Sequence, residues 1–167
     1  MFRLTVHRSP VGPLTVAGRA DRLVIVRFGD DREWVSRFLQ RQEPNAAIVD
    51  HGDPAGAITA LDRYFAGDFG AVDRLEVEFY GTGFQRRVWT ALRSVGPGRT
   101  ASYSEIASAI GAPSATRAVG AANGANPIAI VVPCHRIIGT SGALVGYGGG
   151  LDRKRWLLEH EGVLLKM

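Results

Sequence analysis

A run of five apolar residues that ends at a proline, just before the only cysteine of the chain, constrains this sequence most strongly. Residues 128–132 read Ile-Ala-Ile-Val-Val, which has the length and the branching of a buried β-strand. Pro133 cannot donate a hydrogen bond to a sheet, so the strand is predicted to end there. Cys134, His135 and Arg136 follow directly and place a thiol, a base and a cation at the end of a buried element.

Cys134 can be interpreted either as a reactive thiolate or as a small buried hydrophobic side chain. The thiolate is the nucleophilic form of cysteine, and a nearby positive charge or helix N-terminus lowers its pKa. A lone cysteine in a random sequence is more often a core residue. The Pro-Cys-His-Arg context favours the reactive interpretation here.

The composition narrows the class of protein. The 167 residues are 46% hydrophobic and 22% charged, which is typical of a globular chain. The apolar runs are too short to span a bilayer, and the N-terminus lacks the apolar core of a signal peptide. One cysteine excludes an internal disulfide and a cysteine-based zinc cage. We therefore expect a cytoplasmic protein with no metal ion and no membrane attachment.

The charge is unevenly distributed along the chain. Residues 1–80 carry 10 Arg against 12 acidic residues, whereas residues 81–167 carry 8 Arg and 2 Lys against 4 acidic residues. The net charges of the two parts are therefore −2 and +6. A basic half that also holds the cysteine suits a partner with phosphate groups, although charge alone does not identify nucleic acid.

The N-terminal part is predicted to form a small antiparallel sheet with helices. Three short apolar runs separated by bends that contain Gly or Pro predict a meander of strands over residues 2–6, 14–17 and 23–28. Helical spacing predicts a helix over residues 31–39, and Asp53-Pro54 is typical of the start of another. Residues 72–79 alternate between apolar and charged, which predicts a strand before a domain boundary at residues 81–83.

The C-terminal part is predicted to be mainly helical. Ser102 and Glu105 have the spacing of a capping box and predict the start of a short helix. Ser114 is predicted to cap a second short helix over residues 115–123. Two short helices joined by a turn that contains glycine indicate a helix-turn-helix. Asp152 is predicted to cap the last helix.

The second of these short helices consists almost entirely of small residues, with Arg117 as its one long cationic side chain. A helix that reads bases in the major groove presents Asn, Gln, Arg or Lys. This helix is therefore predicted to approach the minor groove without sequence preference, with Arg117 as a wedge. The alternative is that small residues merely allow close helix packing. The predicted DNA-binding residues are Ala115, Thr116, Arg117, Ala118, Gly120 and Arg136.

The segment Asn126-Pro-Ile-Ala-Ile-Val-Val-Pro-Cys-His-Arg136 resembles the active-site signature of the O6-alkylguanine-DNA alkyltransferases. The resemblance covers residues 83–162 and, more weakly, the N-terminal half. It implies an α+β chain with a ribonuclease H-like domain over residues 1–79 and a winged-helix or helix-turn-helix-like domain over residues 82–167. It also implies double-stranded DNA as the partner, a monomer with clustering on DNA left open, and no cofactor.

The resemblance implies a role for each residue around the cysteine. Cys134 attacks the alkyl group and keeps it, and His135 acts through a water molecule as the base. Glu161 orients and polarises His135, as the third member of a nucleophile–base–orienter series. Asn126, eight residues before the cysteine, braces the site by hydrogen bonds.

The resemblance also implies how the base is bound. Tyr103 lies beside the flipped guanine, and Arg117 fills the gap that the base leaves in the DNA. The remaining substrate-binding residues form a lid: Val145, Tyr147, Gly148 and Gly149. The family often has serine where this chain has Gly148, so a side-chain contact to O6 is expected to be missing. Some relatives bind zinc through N-terminal cysteines, which this chain lacks.

Two other functions fit parts of the sequence. A non-enzymatic protein that flags damaged DNA would resemble the alkyltransferase-like proteins, but those lack the cysteine. A cysteine hydrolase would use Cys134 and His135, but adjacent nucleophile and base are unusual for a hydrolase, and no oxyanion-hole motif is evident. The number of reactions per chain distinguishes a hydrolase from an alkyltransferase, because a hydrolase turns over whereas an alkyltransferase stops after one event.

Overall fold

The computed structural model describes residues 1–163, and the chain divides into two compact units. The first unit comprises residues 1–80 and 127–131, and the second comprises residues 81–126 and the chain from residue 132 onward. The first unit holds a five-stranded sheet, and the second is mainly helical. The predicted α+β fold class is confirmed.

Within residues 1–163, none of the helices combines the length and the apolar character that crossing a bilayer requires. Nor does this range contain a group of three or more His, Cys, Asp or Glu side chains placed to hold a metal ion.

Five strands form the sheet of the first unit. Strands β1 (Phe2–Ser9), β2 (Gly12–Arg19) and β3 (Arg22–Phe28) form the predicted antiparallel meander. Two short parallel strands, β4 (Ile48–Asp50) beside β1 and β5 (Glu76–Val77) beside β3, complete the sheet. Unbroken runs of buried residues in β2 and β3 indicate that both faces of the sheet centre are covered.

Two α-helices accompany this sheet. Helix α1 (Arg32–Gln42) buries Val35 and Leu39 in an apolar cluster shared with β1, β2 and β3. Asp53-Pro54 begins a short 3-10 turn rather than helix α2 (Ala57–Phe65) itself. The side chain of Asp53 still accepts a hydrogen bond from the backbone N–H of Ile58 at 2.6 Å, so it satisfies a donor at the start of α2.

The prediction of a strand over residues 72–79 is mostly wrong. Residues Phe69–Arg74 form a 3-10 helix, and only the two residues of β5 pair with the sheet. A 3-10 helix has three residues per turn, so Phe69, Val72 and Leu75 share one side of it. Apolar residues spaced in this way also satisfy a loose alternation, which is why the pattern was misread.

The described part of the second unit contains four helices and a small parallel sheet. These are α3 (Gly83–Leu92), β6 (Ala101–Ser102), α4 (Tyr103–Ala109), α5 (Thr116–Gly124), β7 (Ile137–Ile138) and α6 (Leu151–His160). Helices α4 and α5 pack against each other and are joined through Gly111, which has a φ of 74°. They form the predicted pair of short helices.

Hydroxyl side chains cap the N-termini of both α3 and α4. Thr82 and Gln85 form a capping box at the start of α3, which the sequence analysis did not predict. The hydroxyl of Ser102 accepts a hydrogen bond from the backbone N–H of Glu105 at 3.1 Å, as expected for the cap of α4.

Two predicted caps are wrong. Ser114 does not cap α5, because the backbone N–H of Ala115 bonds to the carbonyl of Ala112 in a turn and the helix begins one residue later than predicted. Asp152 lies in the first turn of α6, whose N-cap residue is Gly150. An acidic residue in a first turn still interacts favourably with the helix dipole.

The apolar run of residues 128–132 is buried, but it is not a strand. Ile128 forms an isolated parallel bridge with Val26 of β3, and Val26 donates its backbone N–H to the carbonyl of Pro127 at 3.0 Å. The backbone then turns, and Ile130 has a φ of 70°, which is strained for a β-branched residue. A buried turn and a buried strand need the same apolar residues, so periodicity did not separate them.

Candidate active site

The single cysteine lies in a buried turn of the second unit. Residues Cys134–Arg136 form a 3-10 turn between Pro133 and strand β7. Only 7% of Cys134 and 2% of Arg136 is exposed, and His135 is fully buried. The three side chains that the motif places next to each other are therefore all held inside the protein.

Two asparagines near the end of α5 contact backbone carbonyls in this turn and just before it. Nδ2 of Asn126 donates to the carbonyl of Val132 at 2.8 Å, and Nδ2 of Asn123 lies 3.5 Å from the carbonyl of Cys134. The side chain of Asn126 also hydrogen-bonds the Cys134 thiol. Asn126 thus has the contacts of the predicted brace. Asn123 was not predicted, although its spacing of three residues from Asn126 places both on one side of a helical turn.

Glu161 connects both neighbours of the cysteine. His135 Nε2 and Glu161 Oε2 are hydrogen-bonded at 2.9 Å. Arg136 donates through Nε to Glu161 Oε1 at 2.8 Å and through Nη2 to Oε2 at 2.9 Å. A further donor, Nη1, bonds to the carbonyl of Val95 at 2.6 Å. The predicted His–Glu contact is present, and the guanidinium extends it to a buried cluster of three ionisable side chains.

The prediction that Arg136 contacts DNA is wrong. Its guanidinium is buried and bonds to Glu161 and to Val95, so it does not reach the surface where a phosphate could bind. The sequence shows a cation beside the cysteine, but the acid that pairs with it lies 25 residues further on. The direction of the side chain could not be predicted without that pairing.

Burial and hydrogen bonding oppose each other in setting the pKa of Glu161 and of His135. Burial acts to raise the pKa of Glu161, but hydrogen bonds from His135 and Arg136 outweigh it and lower that pKa to about 2. Burial lowers the pKa of His135, against the opposing effect of Glu161, so His135 is neutral near pH 7. Because Nε2 faces a carboxylate it carries the hydrogen, which leaves Nδ1 as a proton acceptor. That Nδ1 is buried, and no hydrogen bond to it is found among residues 1–163.

The thiol of Cys134 is subject to opposing influences of the same kind. Burial raises its pKa, whereas the hydrogen bond with Asn126, the charge of Lys154 and the nearby Tyr147 act to lower it. The Pro-Cys-His-Arg motif predicts that the residues next to Cys134 supply the positive charge. His135 is instead neutral, and the charge of Arg136 is balanced by Glu161. The cation that acts on the sulfur is Lys154.

Lys154 is a fully buried lysine of α6 that the sequence analysis did not predict. Its Nζ donates to the carbonyl of Ile137 at 2.5 Å and to that of Val145 at 2.8 Å. Burial lowers its pKa to about 8, although the interaction with Cys134 acts to raise it. One signal was available, because Lys154 stands three residues before Leu157 and thus on the buried side of the helix.

The predicted lid residues have different environments. The carbonyl of Val145 accepts a hydrogen bond from Lys154, and Tyr147 acts to lower the pKa of the Cys134 thiol, so both residues lie at the site. Gly148 is exposed, and a Cβ built there would meet no described atom within 4 Å, so a serine side chain would fit at this position. Gly149 is half-buried, and its carbonyl accepts a hydrogen bond from Arg153 at 3.2 Å.

Tyr103 is the first residue of α4 and is half-buried. Burial raises the pKa of its hydroxyl, and the charge of Cys134 raises it further, which indicates that the two groups are close. A Cβ on Gly120 of α5 would lie 3.8 Å from the Tyr103 ring. The small residue at position 120 therefore allows α5 to pack against Tyr103, which is the packing role considered as the alternative.

Helix α5 presents the other predicted DNA-binding residues. Thr116, Arg117 and Ala118 are exposed, and Ala115 and Gly120 are half-buried. The opposite side of the helix buries Val119, Ala122 and Asn123. The exposed side thus combines small residues with one guanidinium.

The sequence of each unit matches a domain of a known family. Residues 83–163 match the domain described as 6-O-methylguanine DNA methyltransferase, DNA binding domain, and residues 2–79 match the ribonuclease-like domain of the same family. The chain is 46% identical over 170 residues to the methylated-DNA–protein-cysteine methyltransferase of Salmonella typhimurium, which covers 99% of both chains. It is 51% identical over 153 residues to that of Mycobacterium bovis, covering 92% of this chain and 88% of the relative.

Solved structures show the same similarity. The O6-methylguanine methyltransferase of Mycobacterium tuberculosis superposes with a TM-score of 0.81 at 47% identity, covering 96% of this chain and 93% of that one. The structure of the same organism's OGT in complex with DNA has a TM-score of 0.77 at 46% identity, with 96% and 91% covered. The two units thus define an alkyltransferase fold with a DNA-binding domain. The chain belongs to the methylated-DNA–protein-cysteine methyltransferase family, also called the O6-alkylguanine-DNA alkyltransferases, which confirms the predicted resemblance.

Proposed function

We propose that this protein repairs alkylated DNA by transferring the alkyl group from O6 of guanine to Cys134, once per chain. The observation that carries the proposal is the environment of the only cysteine, whose thiol is surrounded by Asn126, Tyr147 and Lys154. Membership of a family named for transfer from methylated DNA to a protein cysteine supports the reaction class. The match to that family's DNA-binding domain supports DNA as the partner.

The transfer is a displacement at carbon, in which a sulfur–carbon bond forms as the carbon–O6 bond breaks. The Cys134 thiol gives its proton, through a water molecule, to Nδ1 of neutral His135, and Glu161 stabilises the resulting imidazolium through its hydrogen bond to Nε2. The electron pair of the breaking bond stays on the guanine, which takes a proton from Tyr103. The product is a thioether that does not hydrolyse, so each chain reacts once.

The target base must leave the stack before the thiol can reach it, because O6 is otherwise enclosed in the duplex. We assign the contact with the minor groove to the exposed small residues of α5, Thr116 and Ala118 among them. Arg117 fills the gap left by the base, and the lid backbone over residues 145–149 contacts the flipped guanine. The protein acts as a cytoplasmic monomer and needs no cofactor. Clustering on DNA would appear as the binding of more than one chain to each molecule of a longer, undamaged duplex.

The test uses a short duplex that carries one O6-methylguanine, incubated in excess with the intact protein. Intact-mass measurement and peptide mapping are expected to show the mass of one methyl group on the Cys134 peptide, with uptake that stops at one per chain. A duplex without the lesion and the variant Cys134→Ser are the controls. Continued demethylation beyond one event per chain would overturn the proposal and favour the hydrolase alternative.

A further inference from the structure

The ammonium of Lys154 joins three parts of the site, and the steps proposed above do not use it. Its side chain starts on α6, and Nζ bonds to the carbonyl of Ile137 in β7 at 2.5 Å and to that of Val145 in the lid at 2.8 Å. The same atom lies 6.0 Å from the centre of the Tyr147 ring. Since Ile137 directly follows the reactive turn, one charged group links the last helix, the strand after the cysteine and the lid.

A fully buried ammonium is costly unless other groups compensate its charge. The hydrogen bonds described for Lys154 go to neutral carbonyls, and the carboxylate that is buried among residues 1–163, that of Glu161, is engaged by His135 and Arg136. Cys134 is an ionisable group whose negative form attracts the charge of Lys154. The charge of Lys154 is therefore complementary to a thiolate at position 134 rather than to an acid.

We propose that Lys154 is a positioning residue for alkyl transfer: it latches the lid at Val145 to strand β7 and holds a positive charge toward the Cys134 sulfur. Lid position and thiolate formation then depend on one side chain. The proposal rests on the proposed function, because it concerns the same site. An ammonium suits the role because it has three donors, so two can bond to carbonyls while one remains for the sulfur.

The other ionisable groups that face Lys154 fit this role. Cys134 and His135 lie on the reactive turn, and Tyr147 lies on the lid. The charge of Lys154 acts to lower the pKa of Cys134 and of His135, so it favours the thiolate and at the same time keeps the base neutral. With its own pKa near 8, Lys154 is mostly charged at neutral pH.

The first test measures the thiol without DNA. Lys154→Met keeps the length of the side chain and removes its charge and donors, and Arg155→Met is the matched control. Arg155 is the next residue of α6, is exposed, and lies 3.9 Å from Glu159 in a weak ion pair. The rate of Cys134 alkylation by iodoacetamide across pH reports the thiol pKa. Its midpoint is expected to rise by about one unit or more in Lys154→Met, since a nearby opposite charge shifts a pKa by about 1–3 units, and to stay unchanged in Arg155→Met.

The second test measures the charge beside the sulfur. Iodoacetate is an anion and iodoacetamide is neutral, so the ratio of their rates reports a local positive charge. The ratio is expected to fall at least several-fold in Lys154→Met but not in Arg155→Met. An unchanged titration and an unchanged ratio in a folded Lys154→Met protein would overturn the proposal.

A conservative variant covers the case in which Lys154→Met does not fold. Lys154→Arg keeps the charge but presents a planar fork that does not reproduce both carbonyl contacts. It is expected to keep the preference for iodoacetate and to transfer methyl from duplex DNA more slowly. Loss of that preference, or transfer at the wild-type rate, would overturn the proposal. If the wild-type protein takes up no methyl group but its thiol pKa depends on Lys154, the proposed function fails and the electrostatic role stands.

Discussion

Replacement of Glu161 by glutamine is predicted to destabilise the protein strongly. The amide has nearly the same size as the carboxylate, but it cannot balance the guanidinium of Arg136, which is 2% exposed. It also presents an NH2 group where His135 and Arg136 both donate. The variant therefore leaves a buried cation without its counter-charge while changing the packing very little.

The loss of folding stability in Glu161→Gln can be calculated by two independent routes. The pKa of Glu161 falls from the ordinary value of 4.5 to about 2, which corresponds to roughly 3 kcal/mol in favour of the charged form. The side chain is fully buried, so solvent does not screen this interaction. Removal of one partner of a buried ion pair costs about 3–5 kcal/mol. Both routes give a large part of the stability of about 5–15 kcal/mol that is typical of a folded protein.

Denaturant unfolding at pH 7 measures the effect, with Glu159→Gln as the matched control. Glu159 lies on the same helix, is exposed and contacts Arg155 only at 3.9 Å, so its loss is expected to cost about 0.5 kcal/mol or less. The folded-state pKa of Glu161 lies below its unfolded value. Its stabilising contribution is therefore complete above about pH 4.5 and is lost as the pH falls toward 2. The difference between wild type and Glu161→Gln should narrow over that window.

Two results would refute this reasoning. Equal free energies of unfolding for Glu161→Gln and Glu159→Gln at pH 7 would show that the cluster does not stabilise the fold. A difference between wild type and Glu161→Gln that grew as the pH fell below 4.5 would show that the charged form of Glu161 is not the stabilising one.

Four further outcomes are expected. Cys134→Ser should abolish methyl uptake but leave duplex binding in a gel-shift assay, since a hydroxyl does not ionise usefully near neutral pH; residual dealkylation would exclude Cys134 as the nucleophile. Arg117→Ala should slow repair of duplex DNA far more than reaction with free O6-benzylguanine, which needs no flipping, and equal losses would contradict the wedge role. Affinity for undamaged duplex should fall steeply with salt in a fluorescence titration, whereas a strong preference for one unmodified sequence would indicate a regulator. Ala20 has a φ of 49° in the two-residue turn between β2 and β3, so Ala20→Gly should stabilise the protein by about 1 kcal/mol, and an unchanged or lower thermal midpoint would argue against strain there.

What could be predicted from the sequence depended on how local the information was. The Pro-Cys-His-Arg motif is contiguous, so the family and the reactive residue could be predicted from adjacent positions. Glu161 lies 26 residues from His135, and only the resemblance to a family indicated that pairing, which the structure places at 2.9 Å.

Residues whose roles depend on long-range pairing were misread or missed. Arg136 looked like a surface cation because the sequence does not show that Glu161 and Val95 enclose it. Lys154 looked like one of several charged residues at the start of α6, and its bonds to Ile137 and Val145 arise only when the chain folds back on itself. The path of the backbone could not be predicted from the sequence either. A chain that turns at Ile130 and a chain that continues as a strand bury the same side chains.

The placement of residues 127–131 has a consequence for how this protein can be divided. These residues lie in the C-terminal half of the chain but belong to the first unit, where Ile128 pairs with Val26. A gene fragment that began at residue 81 would encode the motif together with residues 127–131 but without β3, their partner. A fragment that ended at residue 80 would keep the pairing of Val26 with Val16 but would lose its bridge to Ile128. The two halves therefore cannot be exchanged independently of each other. Recombination that exchanges one half must also exchange residues 127–131, or rebuild this segment, which ends three residues before the cysteine.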